Sequence, residues 1–110
     1  MRIWDIPPEI LCNKHLLGED RELHAIWAIL TGNKQGYSKH PETRRWIGKL
    51  KALFLRHKQL AEEMQKRGYK HKSPLEKKLA TGSGKQKKLL DPIERQIEIL
   101  KSKQCKCPLR

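Results

Sequence analysis

The chain has 110 residues and carries 25 Lys and Arg against 12 Asp and Glu, a formal net charge of +13; at this length a single domain, residues 1–110, with a real but small core is expected. Its 36% hydrophobic content, three Trp included, is too high for a disordered chain of that charge, and no apolar run approaches the roughly 18 residues of a membrane span. Three cysteines, an odd number, suit a reducing compartment better than a disulfide framework. The opening MRIWDIPPE has no signal-peptide core, so a cytoplasmic protein with no membrane partner is expected.

Helical periodicity runs through the chain, and no alternating β-branched run reads as a strand. The first helical region is expected to open at Pro7 and Pro8 and to continue through Leu11, Leu16, Leu23, Ile26, Trp27 and Leu30 to a stop at Gly32. Gly18 inside it marks a break or a close approach, and Cys12, among apolar neighbours, reads as core. After the turn-rich connector TGNKQGYSKH, Pro41 suits the first position of a long central helix. Leu50, Leu53, Phe54, Leu60 and Met64 give that helix its buried stripe, and Gly68 suits its C′ position. Such a helix would run about 27 residues, or roughly 40 Å.

A strongly basic stretch, YKHKSPLEKKLATGSGKQKK, comes next, with a short helical piece near Leu75 to Leu79. The last helix is expected from Asp91 as N-cap, with Pro92 at N1, Glu94 completing a capping box, and Ile93, Ile97 and Leu100 turned inward. The fold class that follows is all-α, one compact domain of about three main helices built on the long central one. Cys105 and Cys107 lie in the tail, where a metal would need further ligands, so they read as a thiol-rich end without a site.

Charge is segregated along these pieces. Residues 1–33 carry three basic and five acidic side chains, whereas 66–88 carry nine basic and one acidic. A solvated surface accounts for such a run, and so does a grip on nucleic acid, whose phosphates release counterions when Lys and Arg approach. Lys85, Lys87 and Lys88 are the generic phosphate candidates.

The acidic cluster lies in KHLLGEDRELHAIW. At about 100° per residue, His15, Glu19 and Glu22 share one helix face, while Asp20 and Arg21 lie away from it. That face fits ordinary ion pairs, or a metal, for which no second His or Glu-x-x-His partner is evident on the helix, or acid/base chemistry on a DNA sugar. Trp27 and Trp46 read as core; Trp4 suits core and base stacking equally.

The stretch KHLLGEDRELHAIW, the opening RI, and GKLKALFLRHKQLAEEMQKRGY together resemble the phage-type pyrimidine-dimer DNA glycosylase and AP lyase family, historically called endonuclease V of the phage kind. The likeness covers about the first 70 residues. It implies a metal-independent, cofactor-free DNA repair enzyme that acts as a monomer on double-stranded damaged DNA. The implied nucleophile is the α-amine of the first residue, here Met1, since the bulky Arg2 disfavours methionine removal, and the implied essential carboxylate is Glu22. Arg2 and Arg21 match phosphate-gripping positions and His15 a site-lining histidine. Two departures bear on which lesion is recognised: His24 and Ala25 follow REL where the family pattern has a proline and a basic residue, and KQCKCPLR has no counterpart to the family's aromatic tail. An AP-site-only lyase and a non-catalytic basic DNA-binding protein are the alternatives.

An α-amine also suits this work on general grounds. Its pKa near 7.7–8.0, against about 10.4 for lysine, leaves about a tenth or more of it as the free base at neutral pH. Only that free base attacks a sugar carbon.

Overall fold

In the computed structural model the chain is all-α, and the structure describes residues 2–32, 40–70 and 74–103. Four α-helices occur among them: α1 (Asn13–Gly32), α2 (Pro41–Arg44), α3 (Leu50–Lys66) and α4 (Ile93–Ser102). Short 3-10 turns at Pro8–Ile10 and Lys77–Leu79 complete the set. None of these helices is long and apolar enough to cross a membrane.

Three boundaries differ from expectation. The prolines at the start nucleate only the 3-10 turn; the chain then extends at Leu11, whose side chain is fully buried, before α1 begins. The expected long helix is two elements. Gly48 adopts φ +75°, a left-handed conformation that ends one helical run and redirects the chain into the next. Finally, α4 starts at Ile93 with no side-chain cap, because the carboxylate of Asp91 is taken by Arg2 at 2.9 Å instead of closing a capping box.

Elsewhere the local chemistry acts as the pattern predicts. Gly68 takes φ +88° just past α3, where the Gly68 N–H reaches the Gln65 carbonyl and the Tyr69 N–H the Met64 carbonyl, at 3.0 and 2.9 Å. These two bonds make a Schellman closure, which satisfies carbonyls the helix would otherwise leave without donors. The start of α3 is closed by a different device. Thr81 and Ser83 present their carbonyls to the N–H groups of Lys51 and Ala52, at 2.8 and 3.1 Å, so the basic segment caps α3 with its own backbone. Gly82 (φ +82°) lies so close to Gly48 that an added methyl would collide with the Gly48 carbonyl.

The core sits between α1 and α3. Leu16, Leu23 and Ile26 from one helix and Leu53 and Leu60 from the other are all fully buried, with Leu100 of α4 joining them. All three tryptophans are buried, which settles Trp4 as a packed residue.

The N-terminal arm is held at every residue from 2 to 6. Arg2 pairs with Asp91, Ile3 offers its carbonyl to Arg45 at 3.1 Å, and the Trp4 N–H donates to Glu19 at 3.0 Å. The Asp5 N–H donates to Gln96 at 2.8 Å, and the Ile6 carbonyl accepts from Arg56 at 2.9 Å. An arm that forms no helix or sheet is thus satisfied by side chains from four different parts of the molecule, as buried backbone requires.

Candidate active site

Residues His15, Gly18, Glu19 and Glu22 recur at helical spacing along α1, and the N-terminal arm lies across the face they form. Between arm and helix is a cleft of about 250 Å³, lined by Arg2, Trp4, Lys14, His15, Gly18, Glu19, Arg21 and Glu22. Its floor is open because of Gly18. The helix runs through that glycine without a break, and nothing lies within 4 Å of where its side chain would be, so the expected break or close approach is absent and the missing side chain makes room.

The two carboxylates of the cleft have separate fates. Glu19 is fully buried and fully engaged: it accepts from Arg56 Nε at 2.7 Å, Arg56 Nη2 at 3.1 Å and the Trp4 N–H. Burial pushes its carboxyl above the usual carboxylate range, against the opposing pull of the Arg56 guanidinium and the Trp4 N–H. Glu19 is therefore a structural anchor for the arm. Glu22 is half-buried, faces the cleft, and has no hydrogen-bond or ion-pair partner among the described residues.

His15 stands opposite the arm, its Nδ1 3.1 Å from the Cys12 thiol and its ring edge-on to Trp4 at 6.0 Å. Cys12 is accordingly half-buried beside the site and not a core residue. Desolvation, reinforced by the charges of Lys103 and Lys14, holds the His15 pKa below its ordinary value, so the imidazole is neutral at pH 7. Arg2 lies over the Trp4 ring with its guanidinium carbon 5.0 Å from the centroid, a cation–π contact that keeps the arginine at the cleft. Arg21 is exposed, and its long side chain reaches the rim although its Cα points away from the His15 face. With Lys14 these two make a cationic rim around a carboxylate.

The structure thus brings Arg2, His15, Arg21 and Glu22 to the lining of one cleft. Met1 lies outside the described residues, as do Cys105 and Cys107. Lys85, Lys87 and Lys88 are exposed on the segment that caps α3 and do not line the cleft. The link between the two regions is Arg45, buried, which bonds the Lys88 carbonyl at 3.0 Å, the Ile3 carbonyl, and both carboxylate oxygens of Asp5. Lys14 and Lys103 at the site, and Arg45, Arg56 and Gln96 behind it, carry no signal in the sequence that separates them from other polar helix residues. A larger cleft, about 430 Å³, opens between the first 3-10 turn and α3, but its lining sets four carboxylates, Asp5, Glu9, Glu62 and Glu63, against two cations, Arg56 and Lys66. That charge disfavours phosphate.

The chain is thus an all-α protein with a cleft that holds a carboxylate beneath a cationic rim, a charge layout that suits a polyanion. A family model described as pyrimidine dimer DNA glycosylase matches residues 1–77, and the chain belongs to that family. DNA is therefore its substrate class. No curated protein and no solved structure matches the chain.

Proposed function

We propose that the protein removes a damaged base, a UV pyrimidine dimer, from double-stranded DNA and then cleaves the abasic strand, with the α-amine of Met1 as nucleophile and Glu22 as the acid/base. It works as a cytoplasmic monomer. One observation supports this above the others: Arg2, the covalent neighbour of Met1, lines the same cleft as Glu22, whose carboxylate has no partner among the described residues.

The unprotonated amine forms a bond to C1′ as the glycosidic C1′–N bond breaks and its electron pair leaves with the base. Glu22 offsets the positive charge that develops on the sugar. A proton then passes from the attached nitrogen to O4′, the C1′–O4′ bond breaks with its electron pair going to that oxygen, and the nitrogen lone pair forms the protonated imine. That imine acidifies the C2′ hydrogen, Glu22 takes the proton, and the 3′ phosphate departs by β-elimination. Water then hydrolyses the imine and returns the free amine. Neutral His15 is placed to relay protons, while Arg2, Arg21 and Lys14 hold the phosphates on either side. Lys85, Lys87 and Lys88 extend the grip away from the cleft. The target nucleotide must leave the stack, a cost of about a few kcal/mol that is smallest at a lesion.

Borohydride reduces an imine to a stable amine, so incubation with a dimer-containing or abasic duplex followed by reduction is expected to link protein to DNA covalently. Peptide mapping should place the adduct on the first residue. No adduct on either substrate overturns the proposal; an adduct on abasic DNA alone restricts the activity to the lyase step. An extra residue before Met1 should abolish trapping.

A further inference from the structure

On the side of α1 opposite the cleft, Asp20, His24 and His57 converge. Asp20 and His24 are one helical turn apart, and His57 comes from α3. The two Nε2 atoms are 3.1 Å apart, and Asp20 Oδ1 lies 3.5 Å from that of His24 and 3.4 Å from that of His57. The imidazole rings stand at 87° with centroids 4.8 Å apart.

These three distances are close to those of one face of a coordination tetrahedron. With Zn–N and Zn–O bonds of about 2.0–2.1 Å, neighbouring ligand atoms lie about 3.3–3.4 Å apart. A cation accepts all three lone pairs at once. The donor set of two imidazoles and one carboxylate favours zinc and its first-row neighbours over magnesium or calcium, which prefer oxygen. His57 is buried while 29% of the His24 side chain is exposed, so one side stays open for a water as fourth ligand.

We propose that Asp20, His24 and His57 form a structural site for a divalent first-row cation of the zinc type, which ties α1 to α3. The site is separate from the cleft and takes no part in the imine chemistry. It braces the helical turn that carries Arg21 and Glu22, and it stands on its own geometry whether or not the proposed reaction is correct.

The test uses the full chain, stripped with a chelator and titrated with Zn²⁺ and, separately, Co²⁺. One equivalent of either should bind, Zn²⁺ should raise the melting temperature, and Co²⁺ should show the visible d–d absorption of a four- or five-coordinate site. Mg²⁺ should do neither. Because burial makes His57 variants prone to unfolding, the decisive variants are His24→Gln and Asp20→Asn, checked for helicity by circular dichroism. Each should weaken Zn²⁺ binding by about tenfold or more. Absence of binding by the unaltered chain overturns the proposal, as does equal binding by both variants, or a Co²⁺ spectrum dominated by intense thiolate charge transfer.

Discussion

The backbone N–H of Trp4 donates to the buried carboxylate of Glu19 at 3.0 Å, and the same carboxylate receives two bonds from Arg56. A helix residue and an arginine 37 positions later thus meet on the N-terminal arm. The arm's position depends on this junction, since the Arg56 guanidinium also bonds the Ile6 carbonyl.

Glu19→Gln should therefore be a stability variant. It leaves the Arg56 guanidinium, with a side chain only 10% exposed, without its counter-charge, and breaking a buried pair costs about 3–5 kcal/mol. Urea unfolding followed by circular dichroism measures this, and a loss below about 1 kcal/mol would contradict the anchoring role.

Glu22→Gln should do the reverse. With no partner among the described residues to lose, it should change unfolding free energy by less than about 0.5 kcal/mol, while strand cleavage falls by about 10²–10⁴-fold, as for loss of a general acid/base. Binding to a duplex containing a reduced, uncleavable abasic site should persist.

Arg21 is exposed and has no hydrogen-bond or ion-pair partner among the described residues, so its removal tests phosphate contact without disturbing the fold. In Arg21→Gln the slope of log K against log salt concentration should become shallower by about 0.9, one released counterion. An unchanged slope would place the side chain off the DNA.

Gly82→Ala forces a side chain into a left-handed conformation and against the Gly48 carbonyl. The expected cost is about 1–3 kcal/mol, and it should be local. Hydrogen exchange at the Lys51 and Ala52 amides, which the segment caps, should accelerate more than exchange in the middle of α1.

The pH dependence follows from His15, whose folded-state pKa is depressed by burial, Lys103 and Lys14. In the window between that lowered value and its ordinary value of about 6.5, the unfolded chain binds the proton more readily, so His15 makes stability fall as pH falls. His15→Asn removes that contribution. It should lose less unfolding free energy than the unaltered chain between pH 7.5 and pH 5, with the two converging in behaviour above pH 7.

Helical periodicity made the all-α class and the shared face of His15, Glu19 and Glu22 legible, because both depend on residues close in sequence. The division of labour between Glu19 and Glu22 was not, since the partner that decides it, Arg56, arrives from another helix. Asp91 shows the same limit: its capping-box pattern was locally correct, and a contact with Arg2 spanning 89 positions prevailed. The break at Gly48 escaped because apolar spacing from Trp46 to Phe54 continues across it, while the reason for the turn, the backbone of the basic segment docking there, lies more than 30 residues on. His24 and His57 stand apart in the sequence, so their convergence has no spacing to betray it.

The bonds from Arg2 to Asp91 and from Asp5 to Gln96 span 89 and 91 positions. During synthesis at roughly 5–20 residues per second, these two partners of the arm are made about 5–20 s after the arm itself. The emerging chain therefore holds its arm at first by Glu19, Arg45 and Arg56 alone. The last two fastenings come only with the closing helix, and a product truncated before Asp91 should keep the contacts of Ile3, Trp4 and Ile6 while Arg2 loses its ion pair and the Asp5 N–H its acceptor.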